Sequence, residues 1–262
     1  MQTFGIYIIG DEILSGKRED KHLRQAIQIL KARGLSLAWA EYLGDDPARL
    51  VASFKRSLAT DTIVFSFGGI GATPDDFTRQ AAADALDVPI QRHKEAVAEI
   101  EAQFGEAAYP KRVLMADFPK GAAMIPNPFN RVAGFAIGLN PQETSHYFLP
   151  GFPSMAWPMT EWVLDTHYSH LFHREAIVES AILVRDAGES QLIDLMNAIV
   201  CKHPETKLFS LPRLGTDKLN PTKTIELGVK GVAIAVESAM VDIKAGVTEA
   251  GFPWSIINAE TK

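Results

Sequence analysis

The chain begins with an unbroken apolar run, FGIYII (residues 4–9). Without alternation, such a run predicts a strand covered on both faces. After a polar loop, Leu23, Ala26, Ile27 and Leu30 recur at helical spacing, and Gly34 marks the stop. LSLAWAEYL (35–43) predicts a second strand. Asp45 or Asp46 then caps a helix with Pro47 in its first turn and a stripe of Leu50, Phe54 and Leu58. TIVFSF (62–67) predicts a third buried strand, and a helix runs through Ala81–Leu86. Three strand–helix alternations imply a mostly parallel sheet with helices on both faces, an α/β fold of the three-layer, doubly wound kind.

Residues 91–118 read as helical and more polar. GAAMIPNP, VAGFAIG and SHYFLPG predict short strands with turns, and PGFPSM (150–155) opens a helix ending near 166. HYSHLFHRE (167–175) marks a boundary. Beyond it, AIVESAILV, ESQLIDLMNAIVC, TKLFSLP, TKTIELGV and VAIAVESAMVDIK read as strand, helix, strand, strand and helix. The expected domains are therefore 1–170, the α/β unit, and 171–262, a small α+β unit.

In such sheets ligands bind beyond the carboxyl ends of the strands. Two polar loops leave these ends, GDEILSG (10–16) and GGIGATPDD (68–76), and they can share one site. Gly68, Gly69 and Gly71 allow a ligand to approach the backbone, or make a plain tight turn before a helix. The pattern is neither a Walker A loop nor G-x-G-x-x-G, and it holds no lysine. Phosphate charge would have to be met by amides, a helix N-terminus or a metal.

Asp75 and Asp76 read either as cap and first-turn acids or as magnesium ligands or an acid–base pair. A divalent cation would reconcile these acids with a neighbouring phosphate. Asp11 and Glu12 are either a solvated loop or part of the same site, where Ser15 and Gly16 add a hydroxyl and an approachable backbone. Asp45 and Asp46 suit a cap, yet they also leave the carboxyl end of a strand. Tyr7, Phe67 and Phe129 are aromatic candidates for stacking on a ligand, with core packing the better reading for the first two.

A formal net charge of −6 argues against non-specific nucleic-acid or anionic-membrane partners. No apolar stretch approaches the roughly 20 residues of a membrane span, and the N-terminus lacks the basic region of a signal peptide. The single cysteine, Cys201, excludes an internal disulfide and reads as a small buried apolar residue in a reducing compartment. A cytoplasmic protein is expected. His167, His170 and His173 are spaced by three, drift around a helix and have no evident carboxylate partner, so they read as surface at the domain junction rather than as a metal site.

The ordered motifs GDEILSG, YLGDDPARL, GGIGATPDDFTR, IPNP followed by GF, and LPGFPSM resemble the N-terminal region of CinA-type competence/damage-inducible proteins. That region belongs to the wider molybdopterin-binding family, and the resemblance covers about residues 4–170. The second part, about 173–255, resembles the KH-like domain that follows in these proteins, through Gly188–Leu192 and the element order. It shows no GxxG loop and no basic excess, so RNA is not an expected partner.

The resemblance implies a molybdopterin-binding-like sheet, a homo-oligomer (dimer or trimer) and a small-molecule phosphate ligand, nucleotide or pterin. It assigns phosphate contacts to Gly68, Gly69, Gly71 and Thr73, and chemistry to Asp45 and Asp76. Asp76 and Asp75 are the expected ligands of Mg²⁺ or another divalent cation. Asp11 and Glu12 match the signature loop, and Pro150, Gly151 and Ser154 match the turn closing the site. The activity implied is metal-dependent pyrophosphatase action on ADP-ribose or a related nucleoside diphosphate compound. The alternatives are a non-catalytic molybdopterin-binding module and a molybdopterin adenylyltransferase. Three departures stand out: Ala72 and Phe152 replace prolines of the family pattern, and Met155 replaces a glutamate. The C-terminal amidohydrolase domain of full-length CinA proteins has no counterpart in these residues, and its activity is not carried over.

Overall fold

Every residue of strand β1 (Phe4–Ile9) is buried, because it lies inside a sheet covered on both faces. The computed structural model describes residues 2–138, 145–174, 177–214 and 223–257. These fall into two units, Met1–Phe172 and His173–Lys262. After β1 the first unit continues as α1 (Asp11–Leu14), α2 (His22–Ala32), β2 (Leu37–Leu43), α3 (Pro47–Leu58), β3 (Ile63–Phe67), α4 (Thr78–Leu86), β4 (Ile90–Arg92) and α5 (Lys94–Phe104). It closes with β5 (Asp117–Pro119), β6 (Ala123–Ile125), β7 (Gly134–Ile137), β8 (His146–Leu149) and α6 (Pro153–His167).

The main sheet has the order β2-β1-β3-β8-β7-β6. It is parallel from β2 to β8, and β7 runs antiparallel to both neighbours. Side chains along β1 alternate between two cores. Phe4, Ile6 and Ile8 pack with Ala26, Ile29 and Leu30 of α2 and with Met159 and Val163 of α6. Tyr7 and Ile9 pack with Leu50, Phe54 and Leu58 of α3 and with Ala81 and Ala82 of α4. Each fully buried side chain of this size contributes roughly 1.5–3 kcal/mol. The domain is thus three layers, as its strand–helix alternation implies.

Two local expectations are corrected. Ile27 is 44% exposed, and Ile29 takes its place in the core. The helical stretch expected across 91–118 breaks up. Helix α5 stops at Gly105, which has φ 56°, and a 3-10 turn spans Arg112–Ala116. Strands β4 and β5 pair antiparallel on either side, Ile90 opposite Pro119. Three-residue strands are too short to carry a period.

The second unit comprises β9 (Ile177–Arg185), α7 (Glu189–Lys202), β10 (Lys207–Leu214), β11 (Lys223–Val232), α8 (Ala233–Glu249) and β12 (Trp254–Ile256). Its antiparallel sheet has the order β10-β11-β9-β12. Ile182, Val184, Leu227 and Val229 pack with Leu192 and Ile199 of α7 and with Met240 and Ile243 of α8. His203, just past α7, hydrogen-bonds Asp242 of α8 at 2.7 Å, and Lys202 reaches the same carboxylate at 2.8 Å. Strand β12 went unrecognised in the sequence, again for its brevity. Cys201 is exposed, contrary to its expected burial. His167, His170 and His173 are exposed as well. Among the described residues no group of three or more His, Cys, Asp or Glu side chains is arranged to hold a metal, and no helix is long and apolar enough to cross a membrane.

Candidate functional site

Strands β1, β2 and β3 run parallel, so their following loops gather at one edge. At the end of β2, Asp46 caps α3 by accepting from the Arg49 amide at 3.0 Å. That frees Asp45, which turns to the β1 loop. The Asp11 amide donates to Asp45 Oδ2 at 3.0 Å, and the Asp45 amide donates to Asp11 Oδ1 at 3.2 Å. Burial raises the Asp45 pKa above the ordinary carboxylate value. The Asp11 amide opposes that shift, and the charges of Asp11, Glu12 and Asp75 add to it.

The glycine loop is pressed between β1 and α4. A Cβ on Gly68, where φ is 108°, would lie 2.2 Å from the Ile9 carbonyl oxygen. One on Gly69, at φ 69°, would lie 2.2 Å from Thr78 Oγ1. Only glycine fits such a path. Buried Thr78 fixes it from beneath: its hydroxyl donates to Gly68 O at 3.0 Å and its amide to Gly69 O at 3.1 Å. Arg79 ties the loop to the 3-10 turn, donating to Gly71 O and, at 2.7 Å, to Leu114 O. The glycines therefore serve the tight turn and the approachable backbone at once.

Thr73 and Asp76 close on each other. Asp76 Oδ2 accepts from the Thr73 amide at 2.9 Å and from the Thr73 hydroxyl. Thr73's side chain, followed by Asp75's own amide, also holds the Asp75 carboxyl below its usual pKa.

A cavity of about 300 Å³ opens at this edge, at the lower end of the size range for small-molecule sites. Of the residues expected at a site, Glu12, Asp45, Gly68, Gly69, Gly71, Pro150 and Gly151 line it. Asp11, Ser15, Gly16, Thr73, Asp75, Asp76 and Ser154 do not. The expected metal pair, Asp75 and Asp76, thus lies off the cavity wall, with Asp76 engaged by Thr73. Its other walls are apolar, with Phe104, Met115, Val132 and Met155. Asn130 joins them from a loop organised by buried Asn127, which donates to Asn130 Oδ1 at 2.8 Å and Val132 O at 2.9 Å. A second cavity of about 380 Å³ shares Ile9, Glu12, Arg18, Gly151 and Phe152 with the first.

Arg18 is the main residue that sequence reasoning missed. It is exposed, lines both cavities, and makes no side-chain hydrogen bond or ion pair among the described residues. Its amide donates to Glu12 O at 3.0 Å, which folds the chain back across α1. The signal was the Lys17-Arg18 pair directly after Gly16. Beside the amides, helix N-terminus or metal expected to meet phosphate charge, the Arg18 guanidinium adds a positive group at both cavities. Among the aromatics, Tyr7 and Phe67 are core residues, and Phe129 is exposed but lines neither cavity. Phe152, 57% exposed, lines both. Of the three departures from the family pattern, Phe152 and Met155 line the first cavity, and Ala72 lines neither cavity.

An open, mostly parallel sheet with a cavity beyond its strand ends defines the class, an α/β domain with its pocket at the usual edge. Residues 5–170 match the family model described as a probable molybdopterin binding domain, and the chain belongs to that family. It is similar to a CinA-like protein of Shewanella woodyi, at 30% identity over 272 residues, covering 96% of this chain and 63% of that protein. A CinA-like protein of Anaeromyxobacter sp. strain K is 33% identical over 184 residues, covering 69% of this chain and 44% of the relative. The chain therefore spans less than two thirds of these relatives. In fold it is similar to the protein CinA of Thermoplasma acidophilum, a crystal structure presented as of unknown function. The TM-score is 0.57 at 23% identity, covering 63% of this chain and 98% of that one.

Proposed function

We propose that the domain hydrolyses the diphosphate bond of ADP-ribose or a related nucleoside diphosphate compound. The observation that supports this is the convergence on one cavity of Arg18, which has no side-chain partner among the described residues, the glycine-loop backbone and two carboxylates, Glu12 and Asp45. Arg18 and the loop amides bind and orient the diphosphate, the guanidinium in its bidentate fork. The apolar wall of Phe104, Met115, Val132 and Met155 takes the base. Asp45 Oδ2 is engaged by the Asp11 amide, which leaves Oδ1 to receive a proton. A water attacks phosphorus, its proton passes to Asp45 Oδ1, and the bridging P–O bond breaks with its electron pair leaving on the departing phosphate. With ADP-ribose the products are AMP and ribose 5-phosphate. A raised pKa suits Asp45 to this role as general base. Each loop donor aligned on the developing charge contributes about 3–4 kcal/mol.

The residues also suit a divalent cation. Glu12 is a hard oxygen donor on the cavity wall, and Mg²⁺ takes one or two carboxylates together with substrate phosphate oxygens. When bound there, the ion would supply charge neutralisation between the acids and the diphosphate. A second reading, retention of a molybdopterin without turnover, is supported by the apolar wall, which suits a flat pterin ring as well as adenine. Purified protein incubated with ADP-ribose, FAD and other dinucleotides, with Mg²⁺, Mn²⁺ or Co²⁺, should release AMP. Binding of a pterin with no AMP release from any of them would sink the hydrolase reading.

A further inference from the structure

Among the described residues three buried side-chain polar atoms lack a hydrogen-bond partner: His22 Nδ1, Ser66 Oγ and Trp157 Nε1. Of these residues only His22 lines either cavity, and it lines the second. Two contacts hold its side chain and one its backbone. The ring stacks on Phe67 at a centroid distance of 4.5 Å and an interplanar angle of 11°. The backbone amide donates to Asp20 Oδ1 at 2.7 Å, and Asp20 in turn accepts from the Tyr42 hydroxyl at 2.7 Å. Nε2 lies 3.0 Å from the Gly151 carbonyl oxygen.

A carbonyl can only accept, so Nε2 carries the hydrogen. That fixes the tautomer with a bare lone pair on Nδ1. The residue is 6% exposed, and burial lowers its pKa, which keeps the ring neutral. A fixed acceptor is thus buried beside a cavity with no donor among the described residues, which natural structures rarely show.

The two cavities share Glu12 and Arg18 and differ in their other polar side chains. The first adds Asp45 and Asn130 to an apolar wall of Phe104, Met115, Val132 and Met155, whereas the second adds Glu19, Lys21 and His22. Between them stand Glu12, Arg18, Gly151 and Phe152. A molecule with an apolar ring at one end, a diphosphate in the middle and a hydroxyl-bearing end fits that sequence of surfaces.

We propose that the second cavity is the subsite for the sugar distal to the nucleoside, and that His22 Nδ1 accepts a hydrogen bond from one of its hydroxyls. The proposal rests on the nucleoside diphosphate reading of the site. It makes His22 a specificity determinant that separates a sugar-bearing diphosphate from a bare nucleoside diphosphate.

The test compares ADP-ribose with ADP on the full chain by calorimetry, with AMP release followed in parallel. The wild type should bind ADP-ribose more tightly than ADP. His22→Phe keeps a ring against Phe67 and removes the acceptor. It should weaken ADP-ribose binding about three- to tenfold, as expected for one neutral hydrogen bond, and leave ADP unchanged. On wild-type protein with ¹⁵N-labelled histidine, the Nδ1 resonance of His22 should move when ADP-ribose is added and stay put with ADP. This second measurement decides the matter if the variant does not fold. Equal loss for both ligands, no loss for either, or an Nδ1 resonance indifferent to ADP-ribose would mean that the atom meets only water and would overturn the proposal. Binding of neither ligand overturns it too. AMP release without the His22 preference leaves the hydrolase reading standing; the preference without AMP release does the reverse.

Discussion

Asp11 and Asp45 hold each other through reciprocal amide-to-carboxylate bonds of 3.0 and 3.2 Å, although both side chains are acids. Two like charges drawn together beside a cavity destabilise the fold. A carboxyl whose pKa is raised on folding holds its proton more tightly in the native state. Its ionised form therefore weakens the fold at pH above that raised pKa, and the penalty fades as pH falls towards the ordinary value of about 3.9. Asp45→Asn keeps an acceptor for the Asp11 amide and removes the charge. It should raise the melting temperature at pH 7–8 by on the order of 1 °C, since much of the group is solvated and screened. The gain should shrink to nothing near pH 4 while diphosphate hydrolysis is lost. Thermal unfolding across pH with parallel AMP-release assays checks it; a variant that is active, or that is less stable at pH 8 than at pH 4 relative to wild type, contradicts the assignment.

Among the described residues Arg18 has no side-chain partner to lose. Arg18→Ala should therefore leave the melting temperature unchanged within error. A charge-assisted bond to phosphate is worth about 1.5–3 kcal/mol, so affinity for ADP-ribose should fall roughly 10- to 150-fold. Arg18→Lys keeps the charge without the fork and should fall between the two. Titration calorimetry at two salt concentrations reads both effects. Unchanged affinity in Arg18→Ala would move the phosphate elsewhere.

The three-layer fold was legible because its strands are uniformly apolar and its α3 stripe regular. Leu50, Phe54 and Leu58 are all buried as their spacing implies. What escaped reading was short or relational. β4, β5 and β12 are three residues each. At the site, Glu12, Asp45, Gly68, Gly69 and Gly71 could be named because each leaves a strand end directly. Arg18 and His22 could not, since their placement depends on a chain reversal and on the Gly151 carbonyl, which is 129 residues away from His22 in sequence. For Asp76 a sequence shows the carboxylate but not the Thr73 amide and hydroxyl that donate to it.

The glycine loop offers a test of packing apart from chemistry. Gly68→Ala would force a methyl group to within 2.2 Å of the Ile9 carbonyl at φ 108°. Both the clash and the backbone strain act, so a loss of about 2–4 kcal/mol is expected in urea unfolding. Gly121→Ala is a control: it also has positive φ, 86°, but its Cβ meets nothing within 4 Å. It should cost only the strain, roughly 1 kcal/mol. Equal effects at the two sites would show that the Ile9 contact is not what demands glycine.

Asp76 separates scaffold from catalyst. Its Oδ2 accepts from the Thr73 amide and hydroxyl, and it lines neither cavity. An asparagine can present an oxygen in the same place, so Asp76→Asn should preserve the turn. If the residue only shapes the loop, Asp76→Asn keeps AMP release within about threefold. Asp76→Ala leaves the Thr73 donors unanswered and lowers both stability, by about 1–2 kcal/mol, and activity. If the residue instead handles a proton or a cation, Asp76→Asn loses activity as fully as Asp76→Ala, with the fold intact. Steady-state AMP release from both variants, alongside their unfolding curves, distinguishes these outcomes. The hydrogen bonds around Thr73 favour the first, and with it the assignment of proton transfer to Asp45.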